Sequence, residues 1–245
     1  MVRPMDLGVL HLLPVPLAEG AASAVFPADV METAAHLRHW IVETPKTARA
    51  HLKVLAPHVA VSEHHLSPLD KHNPERNTAD FLKPCLEGID MGLISDAGVP
   101  GVADPGSRII EAAHALGIRV LPWVGPSSIL LGLMASGFNG QNFQFVGYLP
   151  HDQSERKKQW SAMERAVRQG QTQIFIETPY RNEKMLEEAL QSLGPDLHFC
   201  IACDLSGPAE YIRSRSIQEW RKDRQRPTLH KRPAIFLIGR SNRIL

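Results

Sequence analysis

Short apolar runs alternate with helix-spaced apolar residues through the first half of the chain. The helical spacing of Ile109, Ala113 and Leu116 predicts a helix that ends at Gly117, with Asp104 as its N-cap and Pro105 as its first residue. Alternating strands and helices indicate a mostly parallel sheet with helices on its faces. We predict strands at Val9–Leu13, Trp40–Glu43, Met91–Ser95 and Ile118–Leu121, and helices at Asp29–His39, Thr47–Leu55 and Thr78–Glu87.

The second half has a different pattern, because several predicted strands follow one another without a helix between them. This order favours a mixed sheet. Pro122, Gly125 and Pro126 interrupt the pattern, so we place a domain boundary there, with residues 1–124 as an N-terminal α/β domain and 125–245 as a C-terminal one. The predicted strands are Phe143–Tyr148, Thr172–Glu177, Leu197–Cys203, Glu210–Ser214 and Ala234–Gly239, and the helices are Ser154–Arg168, Asn182–Leu193 and Ile217–Lys222.

Composition is that of an ordinary globular protein, with 43% hydrophobic and 22% charged residues in 245. No uninterrupted apolar run is long enough for a transmembrane helix, and we interpret Met1–Leu17 as containing a first strand rather than a signal peptide. Three cysteines cannot form a fully paired disulfide framework, which favours a reducing, cytoplasmic location. Cys200 and Cys203 have the spacing of a metal pair, but no second pair accompanies them, and we predict no metal site.

Charge is unevenly distributed, although the net charge is only +1. Residues 1–150 carry a net −4 and residues 151–245 a net +5. The excess of positive charge lies in the segment from Arg213 to Arg232, which contains eight basic residues and only two acidic ones, Glu219 and Asp223. Such a segment is suited to contact phosphates, and the alternative, which charge alone favours, is a solvated hairpin and helix on the surface.

The loop Ser95–Gly106 has the strongest chemical pattern, because it joins a predicted buried strand to a predicted helix and carries three glycines. Glycines allow close approach of the backbone to a ligand, and free N–H groups beside a helix start can hold an anion. Asp96 and Asp104 add acceptors for an ammonium or a hydroxyl group. The loop lacks the lysine of a phosphate-binding Walker loop and the Gly-x-Gly-x-x-Gly spacing. A zwitterionic ligand with a ribose fits this mixture, and a plain turn with Asp104 as a helix cap is the alternative.

Two further strand-to-helix corners carry polar groups. Ser127 and Ser128 stand at a predicted helix start, where a hydroxyl caps the helix or contacts a ligand, and capping is the favoured role for at least one of them. Glu177 could accept a proton or orient a ligand, and Arg181 could bind a carboxylate or phosphate. An internal pair between Glu177 and Arg181 is equally consistent with the spacing.

These segments together resemble the tetrapyrrole methylase superfamily. The resemblance rests on Leu93–Gly106, the Gly-Pro-Ser-Ser turn, Gly147–Pro150 and Glu177–Arg181, in order along nearly the whole chain. It is greatest to the branch of 2′-O-ribose methyltransferases of small-subunit ribosomal RNA. That branch reads Ser-Asp-Ala-Gly-Thr-Pro-x-x-Ser-Asp-Pro-Gly where this chain has Val99 and Ala103. The resemblance implies two α/β domains with a cofactor cleft between them and S-adenosylmethionine as methyl donor.

The resemblance also implies roles for individual residues. Arg181 becomes a candidate contact to the substrate, and Glu43 and Glu177 become candidates for the base that removes a hydroxyl proton. RNA or a ribosomal subunit is the implied partner, and a homodimer is the implied assembly. The residues implied to bind the donor are Pro14, Asp96, Ala97, Gly98, Val99, Pro100, Val102, Ala103, Ser127, Ser128, Glu177, Pro233 and Ala234.

The methyl acceptor stays open between two classes. The segments Glu43–Lys46 and Asp70–Glu75 depart from the RNA-methylating branch, which favours a methylase of a small molecule such as a tetrapyrrole. A protein that binds S-adenosylmethionine without catalysis is a third possibility. Donor binding without methyl transfer would distinguish it from both enzymes.

Overall fold

A computed structural model describes residues 7–18, 20, 25–69 and 78–240. The chain divides into two compact units, the first ending at Pro126 and the second beginning at Ser127. Each unit contains one five-stranded sheet with helices packed against it. The predicted α/β class is therefore confirmed. The predicted boundary, between residues 124 and 125, lies two residues before the division in the structure.

The first unit is built on a sheet of order β3-β2-β4-β1-β5 in which every pairing is parallel. A mostly parallel sheet is what the strand–helix alternation predicts. Parallel strands place their carboxyl ends at one edge, where the loops that follow them meet. The strands are β1 (Val9–Leu12), β2 (His39–Val42), β3 (His65–Pro68), β4 (Met91–Ile94) and β5 (Arg119–Pro122), and the helices are α1 (Ala28–His36), α2 (Pro45–Leu55), α3 (Thr78–Phe81), α4 (Lys83–Leu86) and α5 (Ser107–Ala115).

Two apolar clusters cover the two faces of this sheet. Trp40 and Val42 belong to the cluster that includes residues of α1 and α2, and Ile41 belongs to the one that includes residues of α5. This division follows from the alternation of side chains along a strand. The indole of Trp40 lies directly over Gly92 of β4, so that a Cβ atom at position 92 would overlap the ring.

The second unit is built on a mixed sheet of order β6-β7-β10-β8-β9. Only β6 and β7 pair in parallel, and the other neighbours are antiparallel. The mixed sheet predicted from the consecutive strands is therefore present. The strands are β6 (Phe143–Tyr148), β7 (Thr172–Ile176), β8 (His198–Cys203), β9 (Tyr211–Ser216) and β10 (Ala234–Gly239), and the helices are α6 (Ser128–Ser136), α7 (Gln153–Arg168), α8 (Asn182–Ser192) and α9 (Ile217–Lys222).

Aromatic rings fill the core of the second unit on one face of its sheet. Phe236 stacks between Phe175 and Phe199 at centroid distances of 5.0 and 5.7 Å, and Trp160 of α7 meets Phe175 edge-on. Helix α6 packs on the opposite face, where Gly132 lies against side chains of β10. Within the described chain, none of the helices has the length and apolar character needed to cross a bilayer.

Several predicted elements differ from the structure. The single helix predicted at Thr78–Glu87 is two four-residue helices, α3 and α4. Pro84 accounts for part of this break, because its nitrogen cannot donate the i→i−4 bond. Strand β3 was not predicted, since it lies at the sheet edge, has no fully buried residue and ends in a proline. Helix α5 begins at Ser107 rather than at Pro105.

A substitution at Gly92 tests the packing of the parallel sheet. Gly92→Ala must displace the Trp40 indole, and we expect the free energy of unfolding to fall by about 1–3 kcal/mol. Denaturant titration measures the change. Gly140→Ala is the control, because a Cβ atom there meets nothing within 4 Å. Equal stability of the two variants would contradict the packing described here.

Candidate functional site

Three loops converge at the carboxyl edge of the first sheet. The loop after β1 meets the loop after β4 through a bridge in which the Val15 N–H donates to the Gly98 carbonyl over 2.8 Å. The loop after β5 approaches so closely that a Cβ atom at Gly125 would overlap the ring of Pro14. The structure therefore brings together Pro14 and the Asp96–Ala103 segment, as the sequence resemblance implies, within the first unit.

The loop after β4 has an unusual backbone. Gly98 and Gly101 have φ angles of +72° and +83°, which glycine adopts without strain. Ala103 has a φ of +60°, a left-handed conformation that costs a non-glycine residue free energy. Ala97, Val102 and Ala103 are exposed. Strain of this kind is common where a backbone is shaped for a ligand, so the loop is a candidate binding site.

Asp96 is the centre of a polar network at this edge. Its backbone N–H donates to Glu43 Oε2 over 3.1 Å, and the Thr44 hydroxyl donates to its carboxylate over 2.8 Å. His51 Nε2 lies 2.9 Å from the Asp96 carbonyl oxygen and must donate to it, since a carbonyl only accepts. Main chain and side chain of Asp96 are thus held by residues from the loop after β2 and from helix α2. This arrangement fixes the start of the candidate loop.

His51 was not predicted as a site residue. Burial lowers its pKa, and the hydrogen bond and charge of Asp96 oppose this only in part. The ring is therefore neutral near neutral pH, with its proton on Nε2 and a lone pair on Nδ1. The available signal was its position on α2, eight residues of sequence after Glu43, which was a predicted site residue. It acts here as a positioning residue for Asp96.

Asp104 stabilises the loop itself rather than the helix start. Its carboxylate accepts the N–H groups of Gly101, at 2.9 Å, and Gly106, at 2.7 Å. The prediction of Asp104 as the N-cap of α5 is therefore wrong, because Pro105 and Gly106 form a turn before the helix begins. Burial raises the pKa of Asp104, the bonds from Gly106 and Gly101 lower it, and the nearby charge of Glu43 raises it again.

Ser127 and Ser128 begin helix α6 in the second unit. Ser127 occupies the N-cap position, but its side chain accepts no capping hydrogen bond from the helix. The capping predicted for at least one of these serines is therefore not made by Ser127.

The corner between β7 and α8 carries an internal ion pair. The Glu177 side chain is 1% exposed, and its Oε1 accepts the Thr178 N–H over 2.8 Å. Its Oε2 lies 3.2 Å from Arg181 Nη2, a contact whose geometry falls short of a hydrogen bond. Arg181 Nη1 also lies 2.7 Å from His151 Nδ1. Of the two interpretations left open by the sequence, the structure contains the internal pair.

The start of β10 lies beside this corner in the second unit. The Arg232 carbonyl accepts the Asn182 side-chain amide over 2.7 Å, and the Pro233 carbonyl accepts the Asp204 N–H over 2.9 Å. Ala234 pairs with Cys203 of β8. The structure thus groups Glu177, Arg181, Pro233 and Ala234 near one end of the second sheet.

The basic segment Arg213–Arg232 is largely neutralised by internal contacts. Asp223 lies 2.6 Å from Arg215 and 3.7 Å from Arg213. Arg226 and Arg232 pair with Glu187 and Asp204, each at 2.6 Å. Most of the arginines that were candidate phosphate contacts are therefore already bound.

Metal ligation finds no support in the described ranges, where no group of three or more histidine, cysteine or acidic residues could hold an ion. Cys200 and Cys203 are buried on β8. Burial raises their pKa values to about 12 and about 11, so both thiols stay protonated. They act as small apolar core residues.

Comparison with known proteins identifies sequence relatives. A family model described as Tetrapyrrole (Corrin/Porphyrin) Methylases matches residues 17–220. A Pseudomonas aeruginosa protein named ribosomal RNA small subunit methyltransferase I is 34% identical over 63% of this chain and 54% of its own length. A protein of the same name from Escherichia coli O157:H7 is 27% identical over 86% of this chain and 70% of its own length. The chain spans about half the length of several of these relatives.

Solved structures show the same fold. The methyltransferase CobJ is 17% identical, with a TM-score of 0.61 over 96% of this chain and 95% of its own. Uroporphyrin-III-C-methyltransferase from Thermus thermophilus is 16% identical, with a TM-score of 0.56 over 95% of this chain and 94% of its own. At these identities the comparison supports the fold and not the substrate.

Variants of Asp104 test its role in the candidate loop. Asp104→Ala removes the acceptor of the Gly101 and Gly106 N–H groups, and we expect the free energy of unfolding to fall by about 1–3 kcal/mol. Asp104→Asn is the matched control, since an amide oxygen in the same place can still accept, and it should lose much less. Denaturant titration that finds equal losses would contradict this role.

The pH dependence follows from the raised pKa of Asp104. A carboxyl group with a raised folded-state pKa contributes stability that is fully present below the unfolded value and is lost as the pH rises through the folded value. The free energy of unfolding of the wild type relative to Asp104→Asn should therefore decrease as the pH rises above 3.8, the ordinary pKa. An increase over that range would contradict the burial of this carboxyl group.

Proposed function

Because the chain belongs to the tetrapyrrole methylase family, we propose that it is an S-adenosylmethionine-dependent methyltransferase acting on a ribose 2′-hydroxyl of small-subunit ribosomal RNA. The observation that carries the proposal is the strained, glycine-bearing loop after β4, at the carboxyl edge of a parallel sheet. In open α/β sheets this edge is where ligands bind. The strained backbone of Ala103 in this loop favours a ligand-binding loop over a plain turn.

The charges at this edge suit the proposed donor. The Asp96 N–H donates to the Glu43 carboxylate, and the negative charge of Glu43 raises the pKa of Asp104. Acidic groups favour a ligand with positive charge, and the donor carries an ammonium and a sulfonium group. Exposed backbone at Ala97, Val102 and Ala103 can supply hydrogen bonds to its polar parts.

The remaining residues predicted to contact the donor belong to the second unit. Ser127 offers a hydroxyl that the helix does not use. Glu177 and the Pro233–Ala234 start of β10 lie together at one end of the second sheet. Donor contacts at Ser127, Ser128, Glu177, Pro233 and Ala234 stay predictions.

The donor, when bound, supplies a methyl group on a positively charged sulfur, which is already activated for transfer to an oxygen. The chain then has to align the hydroxyl with the methyl carbon, because positioning supplies much of the rate in such transfers. It also has to remove the hydroxyl proton. Glu177 is poorly suited as this base, since its side chain is 1% exposed, its Oε1 accepts the Thr178 N–H and its Oε2 is ion-paired with Arg181. Glu43 remains the better candidate of the two predicted carboxylates.

RNA as the acceptor is supported by the relatives and by charge. Curated relatives are named as ribosomal RNA small subunit methyltransferases. Residues 151–245 carry a net charge of +5, which favours a polyanion. The segment Asp70–Glu75, which motivates a small-molecule acceptor, lies outside the described residues.

A pair of glycine variants tests the donor site. Gly98→Arg places a large side chain in the candidate loop, where even a Cβ atom would lie 3.0 Å from Leu17, and we expect donor binding to be lost. Gly117→Arg is the matched control, since its φ of +71° imposes the same backbone strain and nothing lies within 4 Å of a Cβ atom there. Calorimetric titration with S-adenosylmethionine measures both. Equal binding by the two variants would place the donor elsewhere.

Methyl transfer then identifies the acceptor. Wild-type protein with donor labelled in its methyl group is incubated with small-subunit particles, with their RNA and with a small-molecule fraction of cell extract. We expect label in the RNA, on ribose oxygens. Label only in small molecules would show a small-molecule methylase, and donor binding without transfer would show a binding protein.

A further inference from the structure

Three segments of the second unit meet at the β7–α8 corner, which carries the exposed Tyr180. The β7–α8 corner carries Tyr180, the segment before β10 carries His230 and Lys231, and the loop after β6 carries His151. Arg181 connects the corner to His151 at 2.7 Å. The backbone N–H of Lys231 donates to the Pro179 carbonyl over 3.1 Å and connects the corner to the segment before β10.

Tyr180 is a large aromatic residue that the fold leaves uncovered. The residue is 71% exposed, whereas the aromatic residues in the core of this unit are almost completely buried. His230 meets the ring edge-on at a centroid distance of 5.8 Å, and Lys231 Nζ lies 5.8 Å from the ring centroid. Since these contacts leave most of the ring accessible, a planar group can stack on it.

The backbone of Lys231 is conformationally strained. Its φ of +61° lies in the left-handed region that a residue with a side chain rarely adopts. The neighbouring N–H of His230 is bound as well, by Glu183 Oε1 at 3.2 Å. The segment before β10 therefore keeps a strained backbone at an exposed position, a feature that is common at functional sites.

Among the described residues, the Lys231 ammonium has no carboxylate partner, whereas the neighbouring arginines do. Arg181 is occupied by Glu177 and His151, and Arg232 by Asp204. In the ranges that the structure describes, Lys231 forms no ion pair, and its recorded side-chain contact is the Tyr180 ring. An uncompensated cation beside an open aromatic ring is complementary to a base with its adjoining phosphate.

We propose that Tyr180 is a stacking platform for an unpaired base of the RNA acceptor, and that Lys231 contacts a phosphate next to that base. This inference rests on the proposed function and adds to it the surface that recognises the RNA. Proteins that bind single-stranded RNA commonly stack its bases on exposed aromatic rings. The platform selects single-stranded rather than duplex RNA, because a paired base offers its face only to its neighbours in the stack.

The Tyr180 test measures the binding of a short, fluorescently labelled, unstructured oligoribonucleotide by anisotropy. Tyr180→Ala should weaken binding by about 5- to 150-fold, the range of one lost base–aromatic stack. Tyr180→Phe keeps the ring and should bind as the wild type does. Thermal unfolding and calorimetric titration with S-adenosylmethionine on the same variants should be unchanged, since Tyr180 is exposed.

The Lys231 test measures the same binding as a function of salt. Lys231→Gln should reduce the slope of log affinity against log salt by about 0.7, as expected for one lost phosphate contact to a single strand. Lys222→Gln is the control, since this exposed lysine of α9 belongs to the same basic segment but does not contact the Tyr180 ring. It should leave the slope unchanged.

The outcomes separate the platform from the proposed function. Wild-type protein that binds and methylates RNA, together with a Tyr180→Ala variant of equal affinity, would overturn the platform alone. Wild-type protein that binds the donor but no RNA would overturn the RNA acceptor and the platform with it. Loss of donor binding in Tyr180→Ala would assign the ring to the donor and also overturn the platform.

Discussion

The close approach of backbone segments at the carboxyl edge of the parallel sheet is the constraint on which the candidate site depends. Gly125 lies against Pro14 with no room for a Cβ atom, and Gly98 is bridged to Val15. Larger residues at these glycines would force the loops after β1, β4 and β5 apart. The order β4-β1-β5 explains why these loops meet, since the three strands are neighbours that run in the same direction.

The polar network around Asp96 then makes the loop after β4 rigid. The loop after β2 and helix α2 supply hydrogen-bond partners for the Asp96 N–H, the Asp96 carbonyl and one oxygen of the Asp96 carboxylate. Because buried polar groups are costly when unpaired, each partner stabilises the position of the others. Asp104 does the same at the far end of the loop. A preorganised loop of this kind loses little entropy when a ligand binds.

The sequence predicts most of the fold because its signals are local. Alternation of apolar runs and helical spacing locates both sheets, and the run from Ser95 to Gly106 identifies the candidate loop. Its errors arise where the conformation of the folded loop, or a contact between residues distant in sequence, decides the role of a residue. Asp104 reads as a helix cap, but it bonds to Gly101, which only the folded loop brings near. His51 carries no motif, and its bond to Asp96 spans 45 residues of sequence.

The ion pairs of the basic segment are another feature that the sequence alone does not show, and they bear on how RNA would be recognised. The sequence shows eight basic residues between Arg213 and Arg232, yet most of the arginines form ion pairs or bind carbonyl groups. A partly buried ion pair gives up little of its charge to a ligand, because its own partner is closer. The proposed binding of RNA then has to rely on the few cations left unpaired and on uncharged contacts. An exposed ring such as Tyr180 supplies such a contact without adding net charge, and it distinguishes an unpaired base from a phosphate backbone.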